Sequence, residues 1–241
     1  MLASQSVGTA DPDFGTRNDA MLENIPLFTG LSKSDVAAIA EHAITKTYPA
    51  HSIIISEGDL SDSLYLILYG KAKVYVSNSD GAEAILNMLG PGDFFGEMAL
   101  LDNAPRSASV MTLEPTRLSI ITKQAFRDCL ARQPEIAYNL IRALNQRVRM
   151  LTENVKNLAL LDVYGRVART LLSVAIKDGE RFIVDPRLTH QDIASMVGAS
   201  REMVSRVLKD MAAKHYIKTQ GRRIILSSNL PLPASGRARC P

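Results

Sequence analysis

The chain has 241 residues, 46% hydrophobic and 22% charged, a length and balance that suit two modest domains with ordered cores. Two cysteines, Cys129 and Cys240, and four histidines without metal-like spacing exclude a disulfide framework, an iron–sulfur cluster and a zinc site, and no apolar run reaches the length of a membrane span. The net charge of +3 divides unevenly: residues 1–161 hold 14 basic and 18 acidic side chains, whereas residues 162–230 hold 12 and 7, so the basic part is the one suited to nucleic acid.

Residues 1–20 are polar, with no basic start followed by an apolar core. They read as a flexible arm rather than a secretory signal, and the cytoplasm is the expected location. NIPLFTGLSKSDVAAIAEHA has helical spacing, with Leu31, Val36, Ile39 and Ala40 on one side. From Thr45 to about Ile121 short β-branched runs (SIIIS, SLYLILYG, KAKVYVS, AEAILNML) are cut by turn residues, which predicts an antiparallel sandwich or roll. NSDG predicts a hairpin and Gly70 a tight turn between two strands.

Residues 95–110, FGEMALLDNAPRSASV, read as one loop. Gly96 permits close backbone approach to a ligand. Glu97 offers a free carboxylate that can accept from a vicinal diol. Arg106 offers a planar fork of donors matched to phosphate oxygens, and Ser107 adds a hydroxyl beside it. Sugar hydroxyls and a phosphate together describe a nucleotide. An ordinary surface loop with a weak Glu–Arg ion pair is the alternative, and at this point both stand.

A long helix is predicted from about Pro134, which suits a first-turn position. Ala137, Ile141, Leu144, Val148, Leu151, Val155 and Leu158 follow one another by alternate steps of four and three. That repeat of about 3.5 residues predicts a left-handed coiled-coil seam, here between two copies of the chain. Arg142, Arg147 and Arg149 flank it. Past NLALLDVYGR, VARTLLSVAI reads as an amphipathic helix and RFIVDPRL as extended structure. Thr189 to Asp192 has the pattern of a capping box, starting a helix through Met196. Gly198 then marks a turn, and Ser200 or its neighbour caps a second helix, REMVSRVLKDMAAK. IKTQGRRIIL reads as a hairpin with Gly221 at its tip and Arg222 and Arg223 beside it. Helix, turn, helix and hairpin make a winged helix, with Arg201, Glu202 and Arg206 on one face of its second helix.

The segments EGDLSDSLYLILYGKAKV, FGEMALLDNAPRSASV, NLALLDVYGR and VGASREMVSRVLK, in this order, resemble the cyclic AMP receptor protein and FNR family of bacterial transcription regulators. The resemblance runs from about Leu27 to Leu226. It implies an α+β chain: an antiparallel β-roll cyclic-nucleotide-binding domain, a long dimerisation helix and a C-terminal winged helix-turn-helix domain. The expected spans are an arm over 1–20, the β-roll domain over 21–132, the dimer helix over 133–160, the winged helix-turn-helix over 161–230 and a flexible tail over 231–241. The resemblance assigns a ribose hydroxyl to Glu97, backbone contacts to Gly96, Met98 and Ala99, and a cyclic phosphate to Arg106 and Ser107. It sets the base against Arg147, Leu151 and Thr152, and the dimer seam along Ile141, Leu144, Val148, Leu151, Val155 and Leu158. NLALLDVYGR corresponds to the family's hinge. Thr189, Gln191, Ser200, Arg201, Glu202, Arg206 and Arg222 form the expected DNA contact set, on a half-site resembling TGTGA.

The receptor branch usually carries a small hydroxyl residue at position 151, where this chain has Leu151 followed by Thr152. Adenine specificity is therefore open. The FNR branch's N-terminal cysteine cluster is missing, and haem ligands are not apparent. The leading expectation is a homodimeric regulator whose ligand, cyclic AMP or another nucleotide such as cyclic di-GMP, reorients the helix-turn-helix pair on a pseudo-palindromic double-stranded operator, with RNA polymerase as a further partner and no membrane contact. The alternatives are an effector-independent DNA-binding regulator and a nucleotide-sensing module for a partner protein. With no nucleophile–base pair, metal cluster or cofactor loop, an enzyme is not expected, nor is a metal or cofactor.

Overall fold

A computed structural model describes residues 21–179, 181–184, 188–221 and 223–231. The expected arm, Arg222 and all but Pro231 of the expected tail lie outside the described residues. Two compact units emerge. One takes in the chain up to Lys73 together with Met88–Asn145; the other takes in Val74–Asn87 and the chain from Gln146 onward.

In the first unit, Pro26–Phe28 form a 3-10 turn and α1 spans Lys33–Ala40. The helix expected across this whole stretch is interrupted, because Gly30 sits at φ 90° and Ser32 caps α1 by accepting from the Asp35 amide. One antiparallel sheet has the order β1-β8-β3-β6, with β1 at Ala43–Tyr48, β3 at Ser63–Tyr69, β6 at Phe94–Phe95 and β8 at Thr116–Thr122. Leu64 faces Ile121 and Leu66 faces Ser119 across β3 and β8. Strand β2, Ile53–Ile55, pairs with β7, Ser109–Thr112, through a register shift.

Leu64, Leu66 and Leu68 all point to one side of β3, as a two-residue period requires. There they join Phe28, Val36, Ile39, Phe94, Phe126 and Ile136 in one core. Each such side chain contributes about 1.5–3 kcal/mol when fully buried. Gly70 turns the chain out of β3 at φ 90°, where a Cβ would come within 2.6 Å of the Pro115 carbonyl oxygen, so only glycine fits. Helix α2 spans Glu97–Asp102 and α3 spans Lys123–Arg132. Residues 95–110 are thus not one loop: α2 lies between two left-handed residues, Gly96 at φ 86° and Asn103 at φ 59°.

In the second unit, the β4–β5 hairpin (Ala72–Ser77 and Glu83–Leu89, with its outer ends in the first unit) turns where the Asn78 side chain accepts from the amides of Asp80 and Ala82. Helix α4, Pro134–Leu160, begins in the first unit and ends in the second. Leu161 and Asp162 break the helical run, and Asp162 caps α5, Val163–Val174, by accepting from the Gly165 amide at 2.8 Å. The amphipathic helix predicted through Ile176 stops at Val174. Ala175–Asp178 instead form β9, paired residue by residue with β10, Arg181–Val184, so strand pairing overrides helical propensity. Helices α6, His190–Val197, and α7, Arg201–Ala213, follow, then β11, Ile217–Gln220, and β12, Arg223–Leu226. The sheet order is β11-β12-β10-β9. Val167, Leu171, Val184, Ile193, Val204, Leu208, Met211 and Leu226 share its core.

Candidate functional site

Arg106 organises the region around α2. Its backbone is strapped to the loop after β2, donating to the Asp59 carbonyl at 3.0 Å and accepting from the Gly58 amide at 2.8 Å. Its side chain is only 4% exposed. Nε donates to Ser61 Oγ at 2.7 Å, Nη2 to the Ser63 carbonyl at 2.8 Å, and Nη1 to the Gly96 carbonyl. A guanidinium has five N–H groups, so one on each Nη remains available. Burial lowers the Arg106 pKa, while Tyr65, Glu97, Asp62 and Asp59 oppose that shift. Arginine stays charged at neutral pH regardless. The result is a desolvated cation, held in plane, with donors to spare: an anion-binding arrangement.

The other loop residues divide. Gly96 is tightly fitted, since a Cβ there would lie 2.6 Å from Arg106 Nη1. Glu97 is buried at the first position of α2 and engaged within the fold, so it is not the free carboxylate expected. Ala99 is buried and Met98 is half exposed. The exposed Ser107 donates its hydroxyl to Met98 Sδ at 3.7 Å. The structure therefore groups Gly96 with the buried Glu97 and Arg106, with Met98 and Ser107 paired at the surface. Arg147, Leu151 and Thr152 lie on the part of α4 in the second unit. Thr152 Oγ1 donates to the Val148 carbonyl at 2.9 Å, leaving lone pairs that can accept.

Along α4, Ile141, Val148, Leu151, Val155 and Leu158 are exposed. Leu144 departs from the expected free strip: it is half-buried against the core of the first unit. Among the described residues, no group of three or more His, Cys, Asp or Glu is placed to hold a metal, and no helix is long and apolar enough to cross a membrane.

Helices α6 and α7 are built by local signals. Thr189 Oγ1 accepts from the Asp192 amide and donates to Asp192 Oδ2, which also accepts from the Thr189 amide, a complete capping box. Gly198 at φ 62° ends α6, and Ser200 caps α7 by accepting from the Met203 amide, which leaves its own hydrogen free to donate. In α7, Val204, Val207, Leu208 and Met211 are buried at i, i+3, i+4 and i+7. Arg201, Glu202 and Arg206 are consequently exposed, as are Thr189, Gln191 and Arg223. His190 Nδ1 and Ser205 Oγ, 2.9 Å apart, tie the two helices together.

Sequence reasoning gave no role to Ser61 and Ser63, or to Arg166, whose guanidinium reaches the carbonyls of Leu161, Val197 and Gly198. Arg166 did carry a signal. A cation in the first turn of a helix opposes the helix dipole, so its use lies elsewhere.

Residues 45–133 match the family described as Cyclic nucleotide-binding domain, and residues 165–229 match the Crp-like helix-turn-helix domain. The CRP-like cAMP-activated global transcriptional regulator of Mycobacterium tuberculosis is 34% identical over 223 residues, covering 91% of this chain and 100% of that protein. The chain belongs to the CRP/FNR family of transcription regulators. Members of this family are DNA-binding transcription regulators and not enzymes, and cyclic-nucleotide-responsive regulators are among them. The cAMP-activated global transcriptional regulator CRP of Salmonella typhimurium is 34% identical, covering 77% of this chain and 90% of that protein. Among solved structures, the c-di-GMP responsive global regulator CLP of Xanthomonas campestris superposes with a TM-score of 0.72 at 26% identity, covering 82% of this chain and 100% of that one. The Thermus thermophilus catabolite activator protein gives a TM-score of 0.51 at 32% identity, covering 84% and 93%.

Proposed function

We propose that this family member is a cytoplasmic homodimer that binds cyclic AMP beside α2 and then engages a pseudo-palindromic operator, acting there with RNA polymerase. The observation that carries the ligand assignment is Arg106, a buried cation fixed by three internal acceptors with two donors left for a phosphate. In this reading Arg106 and Ser107 hold the cyclic phosphate, Glu97, buried and already engaged within the fold, accepts from the ribose 2′-hydroxyl through a further carboxylate lone pair, and the backbone of Gly96, Met98 and Ala99 lines the sugar. Arg147, Leu151 and Thr152 form the base-facing set. Thr152, with its hydroxyl hydrogen engaged by Val148, presents an acceptor. That suits the amino group of adenine better than the carbonyl of guanine, which supports cyclic AMP as the first reading.

The exposed strip of Ile141, Val148, Leu151, Val155 and Leu158 supports pairing of two α4 helices. Thr189, Gln191, Ser200, Arg201, Glu202, Arg206 and Arg222 make up the DNA contact set, with Arg201 or Arg206 paired to guanine and Glu202 to cytosine. A nucleotide can promote this only by binding the DNA-competent state more tightly. Cyclic di-GMP is the second reading. It is favoured by the similarity to the Xanthomonas regulator and by the leucine at position 151.

Calorimetry with cyclic AMP, cyclic GMP and cyclic di-GMP tests the assignment. Cyclic AMP is expected to bind tightest, and Arg106→Gln to abolish binding while retaining the helical circular dichroism and a cooperative melt. Tight binding of cyclic AMP by a folded Arg106→Gln variant contradicts the assignment.

A further inference from the structure

Helix α5 opens with Asp162 as its cap, and Arg166 stands at the end of its first turn. The guanidinium leaves this helix altogether. Nη1 donates to the Leu161 carbonyl at 2.9 Å, Nε to the Val197 carbonyl at 2.8 Å and Nη2 to the Gly198 carbonyl at 3.5 Å. The first acceptor lies just past the end of α4, and the other two lie at the end of α6. The last carbonyls of a helix lack intrahelical partners and carry partial negative charge. One cation therefore serves the C-terminal ends of two helices. Leu158 Cδ2 closes the same joint from α4, 3.5 Å from where a Cβ on Gly198 would stand.

Gly198 is two residues before Ser200, the cap of α7. A displacement of the α4 end relative to α5 must either break the bond to Leu161 or pull on the turn that aims α7. We propose that Arg166 is a positioning residue for DNA recognition: it couples the α4–α5 break to the helix-turn-helix turn, so that movement of one sets the other. This rests on the reading that a nucleotide controls DNA binding. Lysine keeps the charge but cannot span three carbonyls, because its ammonium is a point donor and not a planar fork.

The test uses the full chain, a pseudo-palindromic duplex and cyclic AMP. DNA affinity is measured with and without saturating nucleotide, and nucleotide affinity with and without DNA, for the parent, Arg166→Gln and Arg166→Lys. The two ratios must agree in each protein, and couplings of this kind are typically about 5–150-fold. Both variants are expected to bring the ratio close to one, while cyclic AMP affinity without DNA stays within about two-fold of the parent. Should Arg166→Gln melt early, Arg166→Lys carries the test, since it keeps a cation between the helix ends. A parental ratio in Arg166→Lys overturns the proposal. So does an equal loss of DNA affinity with and without nucleotide, which marks a structural residue alone. A parent with no coupling removes the regulatory reading and this inference with it, whereas a coupled parent with coupled variants removes only the inference.

Discussion

The Gly96 carbonyl accepts from Arg106 Nη1, and a Cβ added at Gly96 would stand 2.6 Å from that same nitrogen. The two residues are ten positions apart in sequence and set each other's place: glycine admits the guanidinium, and the guanidinium pins the left-handed turn that starts α2. Gly96→Ala combines a positive-φ penalty of about 1–2 kcal/mol with this clash. Nucleotide affinity is expected to fall tenfold or more, at about 1.4 kcal/mol per factor of ten, as read by calorimetry. Parental affinity in Gly96→Ala contradicts the pairing.

Leu151 is 43% exposed on α4, one residue before a threonine whose hydroxyl hydrogen is held by Val148. Covering the part of this leucine still exposed contributes roughly 1 kcal/mol per chain to a dimer, under half of the value for full burial. Leu151→Thr is expected to weaken the ligand-free dimer by tenfold or more in sedimentation, and to sharpen the preference for cyclic AMP over cyclic GMP in titrations. A parent that already rejects cyclic GMP strongly, and is unchanged in selectivity by Leu151→Thr, removes this residue from the base-facing set.

Arg206 projects from the face of α7 opposite Val204, Val207, Leu208 and Met211. Arg206→Ala is expected to cost about 1–3 kcal/mol on the best operator and to relax preference at one base pair. Binding to a panel of singly substituted duplexes measures both. An equal loss on every duplex reassigns Arg206 to a phosphate contact.

Features specified by neighbouring residues were legible in the sequence. The Thr189–Asp192 box, the Ser200 cap and the Gly198 turn need only a few adjacent side chains, so helix, turn and helix could be placed closely. The apolar strand run of β3 and the spacing in α4 were readable for the same reason. What escaped depends on partners distant in the chain. Ala175 and Ile176 suit a helix until β10 offers a pairing edge, and the half-burial of Leu144 against the core of the first unit depends on residues far from it in the chain. Arg106 could be read as a phosphate ligand, but its internal acceptors, Ser61 and Ser63, lie more than forty residues away. Glu97 looked like a free carboxylate because no local signal marks it as buried.

On the proposed function, a nucleotide held beside Arg106 controls what α7 does. Fluorescence anisotropy on a labelled duplex carrying two TGTGA-like half-sites about one helical turn apart tests it directly. Affinity should rise at least fivefold when cyclic AMP is added, and Arg106→Gln should show the ligand-free value at every nucleotide concentration. Identical dissociation constants with and without cyclic AMP, cyclic GMP and cyclic di-GMP would contradict the account and leave a DNA-binding regulator that needs no effector.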